Sequence, residues 1–124
     1  ENEQLKFEGE YLNNAMMGEW KKYYETGELM ESVLFENSEE NGPFKEYYAN
    51  GNLKTEGEYL NGNFEHGLLL KYEENGTLST KMQCDRGICQ TIWTKKDGDI
   101  EFDESAFKEK VERMKALEEN TENL

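Results

Sequence analysis

GEWKKYYETGEL, residues 18–29, returns as GPFKEYYANGNL at 42–53 and as GLLLKYEENGTL at 67–78. The opening glycines lie 24 and 25 residues apart; a second glycine follows nine positions on at Gly27, Gly51 and Gly76, and a leucine two beyond that at Leu29, Leu53 and Leu78. A period of this length marks an array of supersecondary units stacked side by side. The intervening stretches repeat too, as GEYLNN from Gly9, VLFENS from Val33, GEYLNG from Gly57 and MQCDRG from Met82, which puts Tyr11, Phe35, Tyr59 and Cys84 at one position of the repeat. The chain opens with half a unit and closes on a degraded copy, GICQTIWTKKDGDIEF from Gly87, as terminal repeats commonly do.

Each unit reads as a β-hairpin. Thr26-Gly27, Asn50-Gly51 and Asn75-Gly76 separate β-rich runs, and such pairs suit two-residue type I′ turns; Asp97-Gly98 repeats the signal. With two-residue loops, Trp20 faces Val33, Lys22 faces Glu31, Tyr24 faces Leu29, Phe44 faces Gly57 and Tyr48 faces Leu53. Alternation then predicts an apolar face of Trp20, Tyr24, Leu29, Val33, Phe35, Phe44, Tyr48, Leu53 and Tyr59, with Gly57 leaving room above Phe44. In the third unit Glu73 replaces the second tyrosine, while Leu68, Leu70 and Tyr72 load the opposite face, which therefore needs a cover. Asp103 or Ser105 can cap a helix whose Phe107, Val111, Met114 and Leu117 form one stripe, and this helix is expected to lie on the last hairpins as a lid. The expected organisation is a hairpin array over 1–102, a capping helix over 103–118 and a disordered tail over 119–124.

Composition agrees with a thin sheet. Aromatic residues reach 12% and charged residues 34%, so a few large side chains must bury one face of a polar chain of 124 residues. Against 14 Lys and Arg stand 28 Asp and Glu, a net charge of −14. That field repels nucleic acid and anionic membrane surfaces and attracts cations or a basic protein; it also keeps an exposed sheet soluble.

Residues capable of chemistry are few. Cys84 and Cys89 flank Asp85-Arg86-Gly87-Ile88, and a two-residue Arg86-Gly87 turn sets them opposite each other, within reach of a disulfide. The competing reading is two free thiols filling aromatic sites of a tapering repeat. Their spacing does not suit a zinc site, and no second Cys or His pair exists. His66 is the sole histidine and lies in a connector, with no Ser or Cys in a nucleophile motif beside it. KDGDIEFDE resembles a calcium loop, but Phe102 stands where the sixth-position glycine is required, and strand alternation explains the pattern better. No metal site, cofactor or catalytic residue is implied. Tyr23, Tyr47 and Tyr72 alternate away from the apolar face and form a ladder of amphipathic rings, the candidate partner-binding residues.

The units from Gly18 and Gly42, joined by stretches such as KTEGEYLNGNFEHG, resemble the bacterial variant of MORN repeats, described as the YwqK-type antitoxin repeat of toxin–antitoxin systems. The likeness spans about residues 7 to 102. It implies an elongated antiparallel meander of hairpins and an antitoxin or immunity protein that blocks a toxin by direct contact. MORN proteins are also linked to membrane lipids and scaffolding, but acidic units depart from what a headgroup binder needs.

The expected function is a non-catalytic protein-interaction module, an antitoxin or immunity-like factor against a basic effector. The alternative is a structural protein of the cell envelope or surface whose open sheet ends associate with copies of itself. The compartment stays open, with export or the envelope ahead of the cytoplasm.

Overall fold

Two kinds of tight turn alternate along the chain, and the residues that accept a positive φ decide which is used where. The computed structural model describes residues 6–62 and 64–122. Its strands are β1 (Lys6–Leu12), β2 (Ala15–Tyr23), β3 (Leu29–Glu36), β4 (Glu39–Tyr47), β5 (Leu53–Leu60), β6 (Phe64–Glu65), β7 (Gly67–Tyr72), β8 (Leu78–Asp85), β9 (Ile88–Thr94) and β10 (Gly98–Asp99), followed by helix α1 (Glu104–Glu122). All strands belong to one antiparallel sheet in chain order, except that the short β6 pairs with β5 beside β7. This is the expected mainly β meander of hairpins with a single C-terminal helix.

The turns within units differ from the type I′ turns the sequence predicts. Within each unit the loop has three residues: Gly27 N–H donates to Tyr24 O at 2.8 Å and Tyr24 N–H to Glu28 O at 2.8 Å, a pattern repeated by Gly51, Tyr48 and Asn52 and by Gly76, Glu73 and Thr77. Only the glycine takes a positive φ there (107°, 93° and 94°), which is a type I turn closed by a glycine bulge instead of type I′. Between units both loop residues are left-handed: Asn13-Asn14 at 55° and 68°, Asn37-Ser38 at 52° and 69°, Asn61-Gly62 at 50° and 112°, and Arg86-Gly87 at 51° and 90°. Asparagine tolerates this region best after glycine. The expected pairs Trp20 with Val33, Lys22 with Glu31 and Phe44 with Gly57 are present. The extra loop residue, however, sets Tyr23 against Leu29 and Tyr47 against Leu53, in place of Tyr24 and Tyr48.

The displaced Tyr24 and Tyr48 gain another role. Tyr24 O–H donates to Tyr47 O and Tyr48 O–H to Tyr72 O, both at 2.7 Å, so each hydroxyl ties its loop to the next unit. Glu73, the third residue of this series, accepts from Lys95 Nζ at 3.0 Å and keeps the link in ionic form.

The core is a single row across the sheet. Trp20, Val33, Phe44, Leu69 and Cys84 are buried, with Met16, Phe35, Tyr59, Met82 and Cys89 packed against them. Tyr24, Leu29, Tyr48 and Leu53 stay half-buried at the unit ends. In the third unit Leu69 takes the place of Trp20 and Phe44, while Leu68 on the opposite face is exposed. Bulky and small residues alternate along the row: Trp20 lies against Gly9 and Val33, and Phe44 between Val33 and Gly57. A single-layered sheet buries apolar area this way, by interdigitation along one face.

Asp103 caps the helix, its Oδ1 accepting from Ala106 N–H at 3.1 Å. Phe102 and Phe107 rings meet at 5.4 Å and Val111 is buried. The cover ends there, short of the expected lid: every side chain from Glu112 to Glu118 is exposed, with Met114 at 44% and Leu117 at 60%. The helix also continues to Glu122, four residues into the segment expected to be a disordered tail. Elongating a formed helix adds a hydrogen bond per residue fixed, so a polar end can remain helical. The last two residues of that segment lie outside the described residues.

Cys84 and Cys89 face each other across the Arg86-Gly87 turn, with Cα atoms 4.0 Å apart and the two Sγ atoms joined. Two free thiols are therefore not the arrangement in this structure. In oxidised protein, thiol titration under denaturing conditions is expected to find no reactive thiol. Reduction is expected to lower unfolding stability by about 2 kcal/mol, the loop-closure contribution of so short a ring. Two titratable thiols in oxidised native protein would refute the bond.

Candidate functional site

The inter-unit register brings together carboxylates that lie far apart in sequence. Glu31 on β3 stands directly opposite Glu46 on β4, Glu40 opposite Phe35, and Glu65 on β6 opposite Tyr59. Phe35 and Tyr59 pack on the core, so alternation places all four acids on the core-bearing side of the sheet. The nearest counter-charge is Lys22, whose Nζ is 3.8 Å from Glu31 Oε1. Like charges directly opposed across an antiparallel pair destabilise it.

The electrostatics record the crowding. Burial holds the Glu31 carboxyl above its ordinary range; Lys22 opposes this, and Glu46 and Glu40 add to it. Burial also raises the Tyr59 hydroxyl, reinforced by Glu31, Glu46, Glu40 and Glu65. The Tyr59 ring stacks on Phe44 at 4.0 Å and 16°, which anchors the patch to the core. The result is a half-buried, under-neutralised anionic strip on a rigid sheet.

The tyrosine ladder lies on the other side. Tyr23, Tyr47 and Tyr72 occupy equivalent positions opposite Leu29, Leu53 and Leu78, and all three are half-buried. Tyr23 O–H donates to Glu8 Oε2 at 3.2 Å, and Lys6 Nζ lies 6.0 Å from the Tyr23 ring centre. Tyr72 O–H donates to Glu56 Oε2 at 2.7 Å; burial, with that hydrogen bond and charge, pushes its pKa up to about 12. The row beside the ladder pairs Glu8 with Lys21, Ser32 with Lys45 and Leu70 with Lys81. Ladder and acidic strip thus belong to opposite faces. Alternation within β4 already separates Glu46 from Tyr47; what the turn between units decides is that Glu46 stands opposite Glu31.

His66 is 43% exposed, its Nδ1 3.4 Å from Arg86 N and 3.6 Å from Asp85 Oδ1. It borders an open groove of about 600 Å³ that Cys84, Asp85, Phe107 and Lys108 also line. Among the described residues no group of three or more His, Cys, Asp or Glu is placed to hold a metal ion, and no helix is long and apolar enough to cross a membrane.

Residues 18–37 and 40–61 match the profile of the family described as the MORN repeat variant. These are the two most regular units; the altered third unit and the degraded fourth fall outside the match. No curated protein matches the chain.

Proposed function

We propose that this array, built on MORN-variant repeats, is a non-catalytic protein-binding module whose Glu31–Glu46 strip receives a basic segment of its partner, in the manner of an antitoxin or immunity protein facing a basic effector. The opposition of Glu31 to Glu46 carries the reading, Lys22 being the one ion-pair partner of Glu31 among the described residues. An arrangement that weakens the free sheet gains when a partner's lysines or arginines neutralise it. The net charge of −14 favours encounter with such a partner and disfavours anionic lipid. Self-association of open sheet ends is the weaker reading, since a net charge of −14 opposes the approach of a second copy.

Glu31→Gln separates stability from binding. The raised carboxyl contributes stability that is fully present below its ordinary pKa of 4.5 and lost as pH rises through the folded value. The glutamine variant is therefore expected to be more stable than the parent at pH 7, by roughly 0.2–1 kcal/mol, and to lose that advantage in acid. Titration with a lysine-rich peptide, followed by NMR, is expected to shift Glu31, Glu46 and Tyr59, with affinity falling steeply with salt. The Glu31→Gln, Glu46→Gln pair should weaken binding about tenfold or more, the scale of losing charge-assisted contacts. Peptide binding that ignores both substitutions would defeat the proposal, as would the absence of a salt-sensitive complex with any product of the neighbouring genes.

A further inference from the structure

Beside each turn between units, one cross-strand pair recurs: Tyr11 stands opposite Met16, Phe35 opposite Glu40, Tyr59 opposite Glu65 and Cys84 opposite Cys89. The first three pairs bring a ring to the core side; the last brings two sulfurs and joins them. The core thins at the same place. β2, β4 and β7 carry Trp20, Phe44 and Leu69 into the buried row, whereas β9 offers Cys89, Thr91 and Thr94, which stand opposite Cys84, Met82 and Thr80. From residue 88 to residue 118, Val111 is the one buried side chain among the described residues.

Apart from the β8–β9 ladder, the contacts that hold β9 lie at its far end. Lys95 Nζ reaches Glu73 Oε1 at 3.0 Å, Lys95 N–H donates to Ser79 O at 2.9 Å, and Lys81 Nζ lies 5.3 Å from the Trp93 ring centre. The Arg86-Gly87 turn is held from the other side: Gly87 N–H donates to Glu65 O at 2.8 Å, and Arg86 N–H to His66 Nδ1 at 3.4 Å. These contacts tie the turn to the third unit and stop short of β9. The covalent grip on the near end of the last long strand is the Cys84–Cys89 bond.

We infer that Cys84–Cys89 is a redox-controlled latch: a dithiol reductant opens it, and β9, β10 and α1 then loosen from the array while β2–β5 stay folded. Cys84 is 2% exposed and Cys89 half-buried, so the reductant enters from the Cys89 side. Its thiolate attacks Cys89 Sγ, forms a mixed disulfide there and expels Cys84 as a thiolate, which takes up a proton. The reductant's second thiol, as thiolate, then attacks its own sulfur in the mixed disulfide and releases Cys89, which is protonated in turn. The reductant leaves as its oxidised disulfide, and two electrons have passed to the protein. In a repeat array each unit contacts only its neighbours, so the loosening stays local. It uncovers Met82 and the outer edge of β8 and leaves the Glu31–Glu46 strip untouched.

The test compares amide exchange of the full chain, oxidised and after dithiothreitol, without denaturant. Reduction is expected to speed exchange in Ile88–Thr94 and in the first turns of α1 by roughly 30-fold, the factor that closing so short a ring represents, and to leave β2–β5 unchanged. Removing the reductant and adding oxidised dithiothreitol should restore the slow pattern. Glutathione with iodoacetamide present is expected to leave glutathione on Cys89 and the alkyl group on Cys84. A Cys84→Val, Cys89→Val variant, which keeps both sites apolar, should show the loosened pattern with or without reductant. The latch is refuted if the bond resists dithiothreitol until urea is added, if β9 exchanges alike in both forms, or if exchange quickens equally in β2–β5. A valine variant that exchanges like the oxidised parent would refute it as well, and glutathione on Cys84 would overturn the order of attack.

Discussion

Phe44→Ala is expected to lower unfolding stability by about 3–5 kcal/mol, the usual cost of emptying a buried aromatic site. Phe44 is 3% exposed and lies in the middle of the core row, its ring stacked on Tyr59. On one side its neighbour is Gly57, over which the Leu69 side chain and the Phe44 ring meet, so the void opens between packed core side chains. A chain of this size has a total stability of about 5–15 kcal/mol, and the loss consumes a large share of it. Because repeat arrays transmit stability between neighbours, removing a central contact should also uncouple the halves. Urea unfolding is expected to broaden or split, with β1–β3 and β7–β9 losing structure at different midpoints. Phe44→Leu, which refills most of the volume, should cost far less. A loss under 1 kcal/mol for the alanine variant would show that Phe44 does not hold the row together.

Gly9→Ala is expected to cost somewhat less and to act locally. A Cβ at Gly9 would lie 2.1 Å from Cδ2 and 2.4 Å from Cγ of Trp20, inside the rigid part of the indole, so strand or ring must move. Overpacking of this kind typically costs 1–3 kcal/mol. Since β1 pairs with β2 alone among the described residues, its release exposes Trp20 without opening the rest of the sheet. In a Trp93→Phe background, Trp20 fluorescence should shift to the red and amide exchange should accelerate in β1 and β2 while β7 and β8 stay protected. Gly18→Ala provides the contrast: no atom lies within 4 Å of its Cβ position, and its φ of 77° leaves only the backbone penalty of roughly 1–2 kcal/mol. If Gly9→Ala left Trp20 buried and β1 protected, the close packing of that backbone on the indole would be wrong.

Some of the candidate surface was legible before any coordinates. The pairing of Lys22 with Glu31 follows from positions within one hairpin, and so does the shared position of Tyr23, Tyr47 and Tyr72. Glu46 escaped notice as a member of the site because it belongs to the next unit. Its place opposite Glu31 requires the Asn37-Ser38 turn and the register shift between Val33 and Phe35. The signal was present in the asparagines of Asn13-Asn14 and Asn37-Ser38, which accept left-handed conformations more readily than most residues though less than glycine; glycine drew the reading to the other end of the hairpins. Leu69 was passed over for a related reason: Leu68 and Leu70 flank it, and a run of three leucines has no alternation to show which one faces the core.

The sequence by itself determined the order of hairpins, the bends at Gly27, Gly51 and Gly76, the within-unit pairs Trp20 with Val33, Lys22 with Glu31 and Phe44 with Gly57, and a helix starting at Asp103 or Ser105. All of these rest on interactions between residues a few positions apart, for which glycine spacing and side-chain alternation suffice. Only the tertiary structure decided which turn type closes which end, that Glu31 stands opposite Glu46 and that the helix leaves its second half in solvent. Those features depend on register between units, where a slip of one residue moves every side chain to the other face. The register is held by left-handed turn residues, bulges and the hydroxyls of Tyr24 and Tyr48, whose partners lie 23 and 24 residues away.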